Sequence, residues 1–146
     1  MTTPGPAGTP TVLVVDVANV VGSVPDGWWR DRAGAAERLL GGLAPLRGRT
    51  IAAPDGDLIR LERILAVLEG RSNLARDPYA GPSEGLLEIA RSPGSGDDEI
   101  ADLATDLVAA GHRVLVVTAD RGLRARLPAA TAAAGPGWLN ALLGRA

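Results

Sequence analysis

The chain has 146 residues, 46% of them hydrophobic, and a formal net charge of −2, which suits a single domain with one hydrophobic core. It has no cysteine and a lone histidine, His112, which excludes disulfides, thiolate metal sites, cysteine nucleophiles and a multi-histidine zinc site. All 15 basic residues are arginine, so Schiff-base chemistry and a P-loop lysine are excluded too, and the slightly acidic balance gives no global field to draw in a polyanion.

Residues 1–10 are rich in Pro, Gly and Thr and lack a basic-then-apolar signal pattern. They read as a flexible tail ahead of one domain spanning 11–146 in a cytoplasmic protein. No apolar run approaches the roughly 20 residues of a membrane helix, so no membrane partner is expected. Val12 to Val15 is a continuous β-branched-rich run ending at Asp16, the pattern of a strand buried on both faces of a parallel sheet. From about Trp29 to Leu43 the spacing predicts a helix, with Ala35, Ala36, Leu39, Leu40 and Leu43 on one face and Gly41, Gly42 and Pro45 ending it. Leu58 to Leu68 fits helical spacing, yet Ile64 to Leu68 is a compact run stopping at Glu69-Gly70, and a strand is favoured. Thr50 to Asp57 reads as irregular, and Arg71 to Glu84 as loop. Leu86 to Ala90 reads as a short strand.

Ser92 to Gly96 is a polar turn leading into a helix from Asp97 to Ala110, with Ile100, Leu103, Ala104, Leu107 and Val108 buried and Ser95 or Asp97 as its cap. Arg113 to Thr118 is the clearest strand and leads to Asp120. A short helix through Arg126, a weak strand near Ala129 to Ala132 and a helix from about Trp138 to Leu143 complete the chain. Alternating strands and helices imply a three-layer α/β fold with a mostly parallel sheet.

The acids fall in a pattern. Asp16 and Asp120 follow strands, Asp97 and Asp98 open the helix between them, and Glu69 follows the middle strand. In open parallel sheets, ligands bind beyond the carboxyl ends of the strands, so these acids are expected in one crevice. Clustered carboxylates repel one another and persist best around cations, and oxygen donors favour Mg²⁺ or Mn²⁺. Such an ion suits phosphodiester hydrolysis. Taken singly, each Asp also reads as a loop residue or helix cap, Asp97 above all.

Val14-Val15-Asp16-Val17-Ala18-Asn19 resembles the opening motif of NYN domains, PIN-like nucleases related to the YacP-type proteins. Gly94-Ser95-Gly96-Asp97-Asp98-Glu99 looks like their second acidic motif and Val116-Val117-Thr118-Ala119-Asp120-Arg121 like their third, in the family's order. The resemblance covers Val12 to Leu143. It implies a PIN-like, Rossmann-like sheet of about five strands, one or two divalent ions, and cleavage of RNA, expected to be single-stranded, by a metal-activated water. Asp16, Asp98 and Asp120 match the family's metal-binding acids best, with Asp97 close behind as a further catalytic acid. Asn19 would fix the first loop or touch substrate, while Ser95 and Thr118 would orient carboxylates. No acid matches the family's second-helix acid, which leaves Glu69 as the nearest candidate.

Arg121 and Arg71 flank the expected crevice and suit either phosphate binding or solvent. Trp28-Trp29 suits base stacking or packing at a helix start. Trp138 reads as a core or interface anchor, a homodimer being one expectation, and His112 as a turn residue. Two other functions fit less well. A phosphatase on a related sheet would want an acid at position 18, which is alanine, and a lysine. A catalytically silent binding or scaffold module is favoured by the net acidity.

Overall fold

The computed structural model describes residues 8–70, 73, 75–76 and 87–144. Strand β1 (Thr9–Asp16) carries the apolar run, and Val12 to Val15 have no exposed surface at all. Thr9 and Pro10, expected in the tail, belong to this strand; residues 1–7 lie outside the described residues. Strand β1 is central because it has parallel neighbours on both sides, so every side chain of the run needs an apolar partner. One neighbour is β3 (Leu58–Leu68) and the other β5 (Val114–Val117). Beyond β5 lies β6 (Ala132–Ala134), also parallel and three residues later than the weak strand expected near Ala129.

The far edge of β3 has two occupants. Its first three residues pair antiparallel with β2 (Thr50–Ala52), and its last four pair parallel with β4 (Glu88–Arg91). The sheet thus has six strands in five positions, β2 and β4 sharing one, with a mixed and mostly parallel arrangement. Thr50–Asp57, expected to be irregular, is the first arm and turn of a hairpin. Gly56, at φ 92°, and the Asp55 side chain accepting from the Asp57 N–H at 3.0 Å close that turn. A bidentate ion pair, Arg63 to Glu88 at 2.9 Å, ties β3 to β4 across the strand border. Leu86, expected in β4, lies outside the described residues, as does nearly all of the loop from Arg71 to Glu84.

The helix-like spacing of Leu58 to Leu68 has a structural cause. Thr11 pairs with Leu61 and Val12 with Arg63, so Glu62 bulges out of register. A bulge reverses the side-chain alternation. Ile59 and Leu61 before it and Ile64, Ala66 and Leu68 after it therefore face the same core, and odd positions give way to even ones.

Period-2 alternation divides the interior in two. Leu13 and Val15 face α1 (Val17–Val21), α2 (Arg32–Leu43) and Leu139 of α5 (Pro136–Leu143). Val12 and Val14 face α3 (Gly96–Ala109), through Ile100, Ala101, Ala104 and Leu107, and Leu123 of α4 (Arg121–Arg126). The result is the expected α/β sandwich of three layers. A 3₁₀ turn, Trp28–Arg30, precedes α2, and Asp31 caps α2 by accepting from the Gly34 N–H at 2.9 Å. Among the described residues no helix is long and apolar enough to cross a membrane.

Candidate functional site

Strands β1, β3, β4 and β5 run parallel, so the segments that leave their carboxyl ends emerge at one edge of the sheet. Those segments begin with Asp16, Glu69, Ser92 and Thr118. A cleft of about 350 Å³ opens there, lined by Asp16, Ala18, Asn19, Glu69, Ser95, Asp97 and Asp120. Four of these residues carry carboxylates and none is basic.

Asp16 is the floor of the cleft. It is 4% exposed and serves as N-cap of α1, its Oδ1 accepting from the Asn19 N–H at 3.3 Å. Its Oδ2 accepts from the Thr118 hydroxyl at 2.9 Å. Burial pushes the Asp16 carboxyl up to about 6 against these two hydrogen bonds, and the charges of Asp97 and Glu69 push the same way. An acid that titrates this high in a crevice lined by other acids is placed to give up its proton when positive charge arrives.

A short network fixes the remaining walls. The Thr118 hydroxyl accepts from the Asp120 N–H at 3.1 Å while donating to Asp16, so one side chain ties two acids together. Asn19 reaches across from α1 and accepts from the Ala119 N–H at 2.8 Å. Asp120 caps α4, its Oδ1 accepting from the Leu123 N–H at 3.0 Å. Arg124 donates twice to the Thr118 carbonyl, at 3.0 and 2.7 Å, and so clamps the same loop from behind. Arg124 was not legible as a site residue, because its partner is a main-chain carbonyl six positions earlier.

The two neighbouring aspartates of α3 part company. Ser95 caps the helix by accepting from the Asp97 N–H at 3.1 Å, and Asp97 lines the cleft. Burial raises the Asp97 pKa, with the neighbouring Asp120 carboxylate adding to it. Asp98, expected among the metal ligands, is turned outward instead. Its Oδ1 meets the Arg126 guanidinium at 2.7 Å, and its side chain is 68% exposed. Consecutive helical residues diverge by about 100° around the axis, so the two side chains point different ways. Glu69 does line it, its carboxylate lying over Gly96, where a Cβ would come within 2.6 Å of Oε1. Arg121 opens α4, exposed and outside the cleft lining, and Arg71 lies outside the described residues. His112 faces Glu62 across 3.6 Å, far from the acids in the sheet.

Among the described residues no three acidic or imidazole side chains close up into a ready-made cation cage. The donor set is nevertheless all oxygen, with one buried carboxylate of raised pKa at its centre. That chemistry fits Mg²⁺ or Mn²⁺, since Mg²⁺ keeps several waters and is usually held by one or two carboxylates plus substrate phosphate.

No family model matches the chain, and no curated protein matches it in sequence. Solved structures do match. The crystal structure of Rae1 (YacP) from Bacillus subtilis superposes with a TM-score of 0.63 at 16% identity, covering 91% of this chain and 73% of that one. Its W164L mutant gives 0.62 at 15% identity, covering 92% and 75%. This chain therefore has the fold of YacP, the group to which its three acidic motifs pointed.

Proposed function

We propose that this protein is a divalent-metal-dependent ribonuclease, with the acidic cleft as its active site. The observation that carries the reading is the convergence of Asp16, Glu69, Asp97 and Asp120 on one cleft at the carboxyl edge of a YacP-like sheet. Asp16, Asp97 and Asp120 would hold Mg²⁺ or Mn²⁺, with Glu69 at the rim. A bound ion would supply charge neutralisation, a water of lowered pKa and stabilisation of the leaving oxygen.

The chain's own residues do the rest. Thr118 keeps the Oδ2 of Asp16 aimed and holds the main chain of Asp120 in place. Asn19 and Arg124 lock the β5–α4 loop by its main chain, at the Ala119 N–H and the Thr118 carbonyl. Without a cation, four carboxylates would repel a phosphodiester, so the cleft cannot take RNA alone. Arg121 and Arg126, on the helix that Asp120 caps, would serve as cations for flanking phosphates.

Incubating labelled single-stranded RNA with Mn²⁺ tests this reading. Cleavage is expected to stop with EDTA and in Asp97→Asn and Asp120→Asn. Cleavage surviving chelation and both substitutions would overturn it. The net acidity of the chain favours one competing reading, a catalytically silent module with the same fold. That reading requires no cleavage and no Mn²⁺ uptake in calorimetry.

A further inference from the structure

A second cavity of about 210 Å³ adjoins the acidic cleft and shares two of its walls, Ala18 and Glu69. Its other walls include Val17 and Val21 of α1, the Trp28 ring and Arg32. The helix that Asp16 caps thus separates two kinds of surface. Acids lie at its N-terminal end, and an apolar, aromatic hollow lies along its side.

The two tryptophans of the Trp28-Trp29 pair differ sharply. Their rings meet edge-on at 6.0 Å and 87°. Trp29 is 53% exposed and Arg30 lies 5.9 Å from its ring centre. Trp28 packs against the core and presents its ring to the hollow, with the Arg32 guanidinium 5.4 Å from its ring centre. That contact holds a flat cation and a flat aromatic in a fixed arrangement before anything binds. The volume lies below the roughly 300–1,000 Å³ typical of sites enclosing drug-sized ligands, and suits one planar heterocycle.

We propose that this hollow is the nucleobase pocket of the active site, taking one unpaired base of the RNA strand whose phosphate lies at the acidic cleft. The inference rests on the ribonuclease reading for the identity of its ligand. A base needs an apolar slot with a flat wall, and single-stranded RNA is recognised by splaying bases onto aromatic rings and guanidinium planes. Shared walls place the slot directly beside the acids. An acidic cleft offers a base no apolar surface, and the Trp28–Arg32 hollow supplies one.

Binding rather than cleavage is the test, so that the pocket and the catalytic reading fail separately. Short unstructured oligoribonucleotides are titrated onto the full chain with Ca²⁺ in place of Mn²⁺, and affinity is read by fluorescence anisotropy. Trp28→Ala is expected to weaken binding roughly tenfold to a hundredfold, Trp28→Phe to retain most of it, and Trp29→Ala to stay near the parent. An abasic site walked along the strand should cost the unmodified protein a similar factor at one position. That penalty should vanish in Trp28→Ala. Should Trp28→Ala fail to fold, the abasic scan on the unmodified protein and Trp28→Phe still decide the matter. RNA that binds with no position-dependent abasic penalty, or equally well to folded Trp28→Ala, would overturn the pocket and leave the nuclease reading standing. RNA that is bound in this pattern but never cleaved with Mn²⁺ would uphold the pocket and overturn the nuclease reading. RNA that does not bind at all overturns both.

Discussion

Replacing Asp16 by Asn removes one charge and leaves the shape almost unchanged. The Asp16 carboxyl titrates at about 6 in the folded protein against an ordinary 3.8, because it is buried and faces Asp97 and Glu69. That difference corresponds to about 3 kcal/mol. The raised pKa means the folded state binds the extra proton, so stability falls as pH rises from about 4 to about 6, and the full cost applies above 6. Below pH 4 both states are protonated and the cost disappears. Asn keeps the capping role, since Asn and Asp are comparable N-caps. In EDTA, Asp16→Asn should therefore be more stable than the parent at pH 7.5 by an amount about 3 kcal/mol larger than at pH 4. Urea denaturation at both pH values reads this as a midpoint difference of about 1–2 M. Saturating Mn²⁺ should recover the deficit in the parent and do nothing for the variant. Equal midpoint differences at the two pH values would refute the picture of Asp16 as a buried acid under charge stress, and with it the electrostatic basis of the site.

Four further outcomes follow from the same geometry. Asp97→Asn and Asp120→Asn should abolish Mn²⁺-dependent RNA cleavage, whereas Asp98→Asn should retain most of it, because Asp98 pairs with Arg126 outside the cleft; comparable losses in all three would contradict that placement. Thr118→Val removes the donor to Asp16 and the acceptor of the Asp120 N–H, so a loss of about 1–3 kcal/mol in urea denaturation is expected, with Asp16 titrating higher still by NMR. Gly96→Ala places a methyl against the Glu69 carboxylate and should displace it, lowering activity with little change in melting temperature. Calorimetry in buffers of differing ionisation heat should show Mn²⁺ binding release a substantial fraction of a proton at pH 5.5 and almost none at pH 8.

Much of the framework can be read from the residues in order. The β-branched runs at Val12 to Val15 and Val114 to Val117 must be central strands, because residues apolar on both faces need cover on both sides. The Ser95 cap and the stripe from Ile100 to Leu107 define α3 equally well. What local pattern misses has identifiable causes. The Glu62 bulge gives Leu58 to Leu68 a helix-compatible spacing by shifting its alternation, so the residues favour a strand from the compact run Ile64 to Leu68, and only the register against Thr11 and Val12 exposes the bulge. Strand β2 is three residues long and exists because β3 offers it an edge, so its own sequence carries almost no signal.

The sequence by itself determined that acids follow the strands. Strand direction then forces them to one edge, whatever the details of packing. Which acids face one another is a matter of tertiary structure. The choice of Asp97 over Asp98 depends on how far α3 is rotated when Ile100 and Ala104 seat against Val12 and Val14, and on Arg126 arriving from α4 to hold Asp98 away. The elevated pKa of Asp16 is likewise absent from any local motif. It arises because the closed sheet buries the carboxylate and brings Asp97 and Glu69 beside it, against the pull of the hydrogen bond from Thr118, 102 residues later. Residue type and order decide what chemistry is available. Burial and approach distance, set only when the sheet closes, decide which groups carry it.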